Sequence, residues 1–214
     1  MAEMKHVSGV VIRRLPRYYR YLGELLSIGV TRISSKELSK KMRVTASQIR
    51  QDLNCFGGFG QQGYGYNVSH LHSEIGQILG VDGGRTMIII GIGNLGKAIA
   101  GYSSFKKRGF SLKGIFDTNK DLIGTEVYGV PVFSTDTLAD FVRKHHIDIA
   151  VLTIPKAYAQ ETADTLIDAG IKGIWNFTHT DIIAPIDVAL ENVHMSDSLM
   201  TLSCKIGRIH QAKE

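Results

Sequence analysis

The run Met87-Ile88-Ile89-Ile90-Gly91-Ile92-Gly93-Asn94-Leu95-Gly96 constrains this chain more than any other. Four successive large apolar residues suit a central parallel strand covered on both faces. Gly91, Gly93 and Gly96 stand at the dinucleotide-fingerprint spacing, and Leu95, Ala98 and Ile99 begin a helix behind them. A lone GxGxxG is weak evidence, but this one follows a strand and opens a helix. A second strand, residues 111–116, ends in Asp117, about the expected distance downstream to accept hydrogen bonds from an adenosine ribose. No Arg stands beside it to receive a 2′-phosphate, which favours NAD(H) over NADP(H). A solvent-exposed Asp opening a turn with Asn119 would read the same way.

Strands over 129–133, 148–154 and 173–177 alternate with helices over 137–145 and 157–168, the pattern of a doubly wound sheet. Ligands on such sheets bind beyond the carboxyl ends of the strands, so Thr153, Ile154, Pro155, Asn176 and Phe177 are expected to border the nicotinamide end. For Trp175, plain core packing is the better reading.

The N-terminal part differs in charge and periodicity. The first sixty residues hold eleven Lys/Arg against four Asp/Glu, a surplus of seven positive charges, whereas the whole chain carries +5 and the remainder therefore −2. A basic end facing a polyanion and an acidic end facing a dinucleotide suggest two partners. Pro16 suits the first turn of a helix in which Tyr18, Leu22, Leu25 and Leu26 recur until Gly29 can cap it. Ser34 with Glu37, then Thr45 with Gln48, are capping-box spacings that open two short helices around a tight turn, a helix-turn-helix. On the second helix Ala46, Ile49 and Leu53 face inward, leaving Ser47, Arg50, Gln51 and Asn54 on a polar stripe. Arg can pair with guanine, and Gln or Asn with adenine, in the major groove. An isolated solvated helix would show the same stripe; the neighbouring helix, the charge and the next segment favour DNA.

Residues 56–66 interleave five glycines with four aromatics. Because the segment follows a polar helix rather than a strand, a wing hairpin fits better than a phosphate loop, with Tyr64 or Tyr66 anchoring it. A helix containing Leu71, Ile75, Ile78 and Leu79 follows, and Asp82-Gly83-Gly84 marks a domain boundary. The expected DNA-binding set is Lys36, Arg43, Ser47, Gln48, Arg50, Gln51, Asn54, Gly60, Gln61, Gln62 and Tyr64. After a strand over 187–193, Leu199, Leu202, Ile206 and Ile209 form a coiled-coil-like seam on a terminal helix, which either docks on its own domain or forms a homodimer interface.

No apolar run approaches the roughly 20 residues of a membrane span, and the N-terminus lacks a signal peptide's apolar stretch, so a soluble cytoplasmic protein is expected. Cys55 and Cys204 are too few for a disulfide framework, and Cys55 reads as a small buried residue before it reads as a thiol switch. His70 with His72 and His145 with His146 lack further ligands at supporting spacing, and no metal is expected.

These motifs, in this order, resemble the Rex family of redox-sensing transcriptional repressors. The matching stretches are residues 14–20, 34–38, 48–53, 59–60 with 63–68, 91–96, 116–117, 123–124 and 176–178, nearly the full length. The resemblance implies an α/β plus winged-helix fold: a winged helix-turn-helix domain (1–84), a Rossmann domain (85–194) and a C-terminal helix (195–214) exchanged between subunits of a homodimer. It implies double-stranded operator DNA bound when NADH is scarce and released when NADH fills the site, with NADH and NAD⁺ as cofactors. The implied nucleotide set adds Ile92, Asn94, Leu95 and Tyr102 to the residues above. The resemblance also implies coupling of the domains through an acid near the start of the C-terminal helix, an Arg and a Tyr. Arg14 and Tyr102 match, His194 stands at the acid's position, and Asp197 is the candidate substitute. The family's wing is often basic, whereas Gln61 and Gln62 stand here. An NAD-dependent oxidoreductase is the alternative, but only about twenty residues lie beyond the Rossmann core, and Lys156 and Tyr158 do not make a Tyr-x-x-x-Lys pair. A CoA-binding regulatory module is a third reading, which Asp117 disfavours.

Overall fold

A computed structural model describes residues 8–55, 60–61 and 65–211. The chain divides into two compact units, Met1–Gly83 and Gly84–Glu214. The first contains α1 (Gly9–Ile12), α2 (Leu15–Ser27), β1 (Arg32–Ile33), α3 (Ser35–Met42), α4 (Ala46–Asn54), β2 (Gly60–Gln61), β3 (Gly65–Asn67) and α5 (Val68–Leu79). In α2, Leu15, Tyr18, Leu22 and Leu25 make the buried stripe, and Leu26, expected inside, lies on the surface because Leu15 extends the stripe in the other direction. Gly29 adopts φ +76, so its amide and that of Val30 turn back onto the carbonyls of Leu26 and Leu25.

Both halves of the capping box form at α3, where the Ser34 hydroxyl accepts from the Glu37 amide and the Ser34 amide donates to the Glu37 carboxylate. Only half forms at α4. Thr45 Oγ1 accepts from the Gln48 amide, but the Gln48 side chain turns to Asp52 instead of back to Thr45. The backbone of the wing hairpin pairs Gly60 with Tyr66 and Gln61 with Gly65, and β1 joins β3 antiparallel, giving a three-stranded sheet in the order β1-β3-β2. Tyr66 is buried in the core of this unit; Gln62 and Tyr64 lie outside the described residues. The helix-turn-helix of α3 and α4, with α2 and α5 beside it and a small sheet bearing a hairpin, makes a winged helix.

The second unit contains β4 (Arg85–Ile90), α6 (Asn94–Ala100), α7 (Ser104–Lys107), β5 (Phe110–Asp117), β6 (Glu126–Val127), β7 (Val130–Ser134), α8 (Leu138–His145), β8 (Ile149–Leu152), α9 (Ala159–Asp168), β9 (Gly173–Asn176), β10 (Ala189–Asn192) and α10 (Met195–Gln211). Its sheet order is β10-β9-β8-β4-β5-β7-β6, parallel throughout except for the β6–β7 hairpin. Leaving out the hairpin strand β6, this is the 3-2-1-4-5-6 order of the Rossmann fold. The apolar run of β4 serves both faces: Ile88 and Ile90 pack with α8 and α9, while Met87 and Ile89 pack on the side of α6. Strand order reverses between β4 and β8, which places a crevice beside Gly91 and Thr153.

The α6 side is covered unevenly. Met87, Phe105, Ile149, Trp175 and Leu190 line an open apolar cleft of about 540 Å³. Trp175 meets Phe105 and Phe177 edge-on, but it is only half-buried and its open side faces this cleft, so plain core packing, expected for it, describes one side of the ring alone. On α10, Leu199, Leu202, Ile206 and Ile209 are all exposed.

Candidate functional site

The glycine-rich turn owes its shape to close backbone contacts. Gly91 has φ +92, and a Cβ there would lie 2.8 Å from both the Thr153 carbonyl oxygen and the Ile154 side chain. At Gly96 a Cβ would collide with the Gly91 carbonyl oxygen, so α6 can start against the turn only without a side chain. Gly93 differs, since nothing stands within 4 Å of a Cβ built there. It is exposed, it is the N-cap of α6, and no side chain caps the helix, which leaves backbone open for an anionic group to approach.

Asp117 and Thr153 hold this turn from either side. Asp117 accepts from the Ile92 amide at 2.8 Å through one oxygen and from the Asn119 amide at 2.8 Å through the other. Each carboxylate oxygen keeps a lone pair, so ribose hydroxyls can still donate to it. Thr153 Oγ1 donates its one proton to the Gly91 carbonyl at 2.7 Å, with the Ile90 carbonyl the longer alternative at 3.1 Å. Together these groups open a cleft of about 890 Å³. Of the nucleotide set, Gly91, Gly93, Leu95, Asp117, Thr153, Ile154, Pro155 and Phe177 line it.

The others stand elsewhere. Ile92 is buried on the α6 face, Gly96 is packed beneath the turn, and Asn94 is an exposed residue of the first turn of α6. Tyr102 lies past the end of α6, half exposed against Phe105. Asn176 is fully buried and fully engaged. Its amide donates to the Thr180 carbonyl and to Asn192 Oδ1, while its oxygen accepts from the Thr178 amide and hydroxyl. It fixes the β9 end instead of presenting a free group to a ligand. The sequence did not single out the rest of the lining: Thr118 and Thr135 follow the ends of β5 and β7, while Leu138 on α8 and Glu161, Thr162 and Thr165 on α9 lie in ordinary helix-forming patterns.

The second surface is α4 and its surroundings. Ser47, Arg50, Gln51 and Asn54 are exposed, and Lys36 and Arg43 are exposed nearby in the chain. Arg50 reaches across to Ser35 Oγ and back to Ser47 Oγ, both at 3.1 Å, so its guanidinium is held over the starts of α3 and α4. Gln48 departs from the expected set, being half-buried with its amide committed to Asp52. Behind the helix lies a group that the apolar pattern did not reveal. Asp52 is completely buried and accepts from Arg14 Nε and Nη2 at 2.6 Å each, Tyr18 at 2.9 Å and Gln48 at 2.8 Å. Burial pushes its carboxyl up, but the hydrogen bonds from Arg14, Gln48 and Tyr18 outweigh that and hold it below the usual carboxylate range. Burial, then the bond to Asp52, pushes the Tyr18 hydroxyl well above its ordinary value.

Of the expected coupling residues, Arg14 is thus paired within its own unit. His194 faces Asp181 at 3.7 Å, and its carbonyl accepts from the amide of Asp197 in the first turn of α10. Among the described residues no group of His, Cys, Asp or Glu is arranged to hold a metal, and no helix is long and apolar enough to cross a membrane.

Residues 6–54 match the family described as putative DNA-binding protein N-terminus, and residues 82–180 match the CoA binding domain family. The chain is 60% identical over 207 residues to the redox-sensing transcriptional repressor Rex of Thermoanaerobacter pseudethanolicus, covering 97% of this chain and 92% of that one. It is 54% identical over 208 residues to the Rex of Clostridium botulinum strain Hall, covering 97% and 99%. Among solved structures it is similar to RSP in complex with β-NAD⁺ and operator DNA, at 59% identity and TM-score 0.92, covering 98% of this chain and 96% of that one. It is also similar to RSP in complex with β-NADH, at 56% identity and TM-score 0.90, covering 98% of each. A winged helix with a polar outward stripe, a Rossmann unit with an open glycine turn, and this likeness over almost the whole length lead to one conclusion: the chain belongs to the Rex family of redox-sensing transcriptional repressors.

Proposed function

We propose that this protein is a transcriptional repressor that binds operator DNA when NADH is scarce and releases it when NADH fills the Rossmann cleft. The observation that carries the reading is the presence in one chain of two separate sites of different chemistry, the polar face of α4 and the glycine turn at the β4–β8 switch point. In this reading Ser47, Arg50, Gln51 and Asn54 face base edges, while Lys36 and Arg43 serve the phosphate backbone; the wing residues Gly60, Gln61, Gln62 and Tyr64 belong to the same proposed DNA-binding set.

The cleft fits a dinucleotide. The bare backbone around Gly93 takes the pyrophosphate, Asp117 accepts from the adenosine ribose, and Thr153, Ile154, Pro155 and Phe177 bound the nicotinamide end. The bound nucleotide supplies no reaction here; the oxidation state of its ring is the signal. Relatives of this identity over nearly the whole length are repressors, so the oxidoreductase alternative is not favoured. A cytoplasmic location belongs to the same proposal, since a repressor must reach its operator. The exposed seam of α10 and the open apolar cleft by Trp175 are two unpaired apolar surfaces in the same unit, which supports a homodimer formed through α10. Arg14, Tyr102, His194 and Asp197 remain the proposed coupling residues, with Asp197 in place of the acid.

The test is to titrate NADH and NAD⁺ separately, at fixed salt, into the protein bound to a palindromic duplex. Release by NADH at concentrations where NAD⁺ leaves the complex intact is expected. Equal release by both nucleotides, or turnover of a hydroxy acid without DNA affinity, would overturn the reading.

A further inference from the structure

We propose that Asp52 is a positioning residue for sequence reading: from inside the winged helix it fixes the rotation of α4, and so the aim of Arg50 and Gln51 at base edges. The inference rests on the DNA-reading role of α4. It starts from a cost. A carboxylate with no exposed surface is expensive to bury, and an apolar residue of similar size would hold two helices together at least as well. What the carboxylate adds is direction. The apolar contacts of Ile49 and Leu53 tolerate a helix that slides or turns, whereas four hydrogen bonds of 2.6 to 2.9 Å converging on one group do not.

The donors lie where such a function needs them. Arg14 and Tyr18 stand near the start of α2, 38 and 34 residues away in sequence, and they approach the back of α4. Gln48 lies one turn earlier on α4 itself. On the front of the same helix Arg50 is tied to Ser35 of α3. The helix is therefore pinned from α2 behind and from α3 in front. Asp52 is the residue next to Gln51 and two beyond Arg50, so any rotation it permits is passed directly to them.

The experiment uses the full chain without nucleotide. The wild-type protein selects a duplex from a random library, and affinity for that duplex and for a scrambled duplex is then measured at one salt concentration. Asp52→Asn keeps the shape but faces one donor with another. Tyr18→Phe removes one of the four bonds and keeps the ring. We expect the ratio of the two affinities to fall about tenfold in Asp52→Asn and about threefold in Tyr18→Phe. Binding to the scrambled duplex, which depends on phosphate contacts, and NADH affinity of the second unit should stay within about twofold. A merely structural role would lower both DNA affinities together, and that result, or an unchanged ratio in folded variants, overturns the proposal. Should Asp52→Asn fail to fold, Tyr18→Phe decides alone. A wild-type protein that selects no sequence would instead remove the DNA-reading role on which the inference stands.

Discussion

A glycine at position 96 is required by the carbonyl of Gly91 opposite it. Replacing it by Ala places a methyl group where backbone stands, and neither α6 nor the turn can yield without opening the β4 end. Gly96→Ala should cost about 1–3 kcal/mol of stability and weaken NADH binding at least about tenfold, which calorimetric titration and thermal unfolding would measure together. Gly93→Ala meets no protein atom, so it should leave stability nearly unchanged and still impair NADH binding by crowding the ligand. Asp52 carries a prediction about pH. Its folded-state pKa lies below the unfolded value, so its ion pair contributes stability that is fully present above the unfolded value, near pH 4, and is lost as pH falls through the folded value. Wild-type stability should therefore fall on acidification below about pH 4 more steeply than that of Asp52→Asn, as followed by urea unfolding at several pH values. The glycines were legible because the fingerprint encodes a local backbone need. Asp52 was not, because its burial depends on Arg14 and Tyr18, distant in sequence, and an acid on an amphipathic helix ordinarily marks the solvated side.

At the scale of elements, caps and stripes were readable where they are local. Ser34 and Glu37 meet within one turn and need no tertiary help, and the box forms as its spacing requires. The second box fails by half because Asp52 competes for the Gln48 side chain, and no local rule weighs a buried carboxylate against a helix amide. The strands at 187–193 and 148–154 shortened to four residues each, since only the stretch paired to β9 or β4 keeps its ladder. Thr45→Ala should still cost about 1 kcal/mol, because the Thr45 side chain satisfies one open amide of α4. The seam of α10 was legible as a stripe, but what it covers was not, because periodicity names a face and not a partner. Ile206→Glu places a charge in that exposed seam. If α10 pairs two copies, light scattering should report a monomer at concentrations where the wild type is a dimer. An unchanged mass would return the helix to its own domain.

At the scale of the whole molecule the charge separates the two ligands. The first sixty residues carry the surplus of seven positive charges, while the rest of the chain is slightly acidic. Association with DNA releases condensed counterions in proportion to the phosphates neutralised, so affinity should fall about 10³- to 10⁵-fold between 50 and 200 mM salt if a dimer makes roughly six to ten such contacts. If NADH presents only its pyrophosphate to backbone amides in the partly enclosed cleft, as proposed, its affinity should change by less than about tenfold over the same range. The two slopes then separate two ways of releasing DNA. If NADH disturbed only the base contacts of α4, affinity would drop while the salt slope stayed the same, since the phosphate contacts would survive. If it draws the two winged helices of a dimer out of register with the duplex, phosphate contacts are lost on at least one half-site, and the slope itself must shrink. The proposed homodimer on two half-sites favours the second outcome. The expected result is a slope smaller by several units in saturating NADH than in saturating NAD⁺, measured by fluorescence anisotropy across the salt series. Equal slopes would confine the switch to the reading helix.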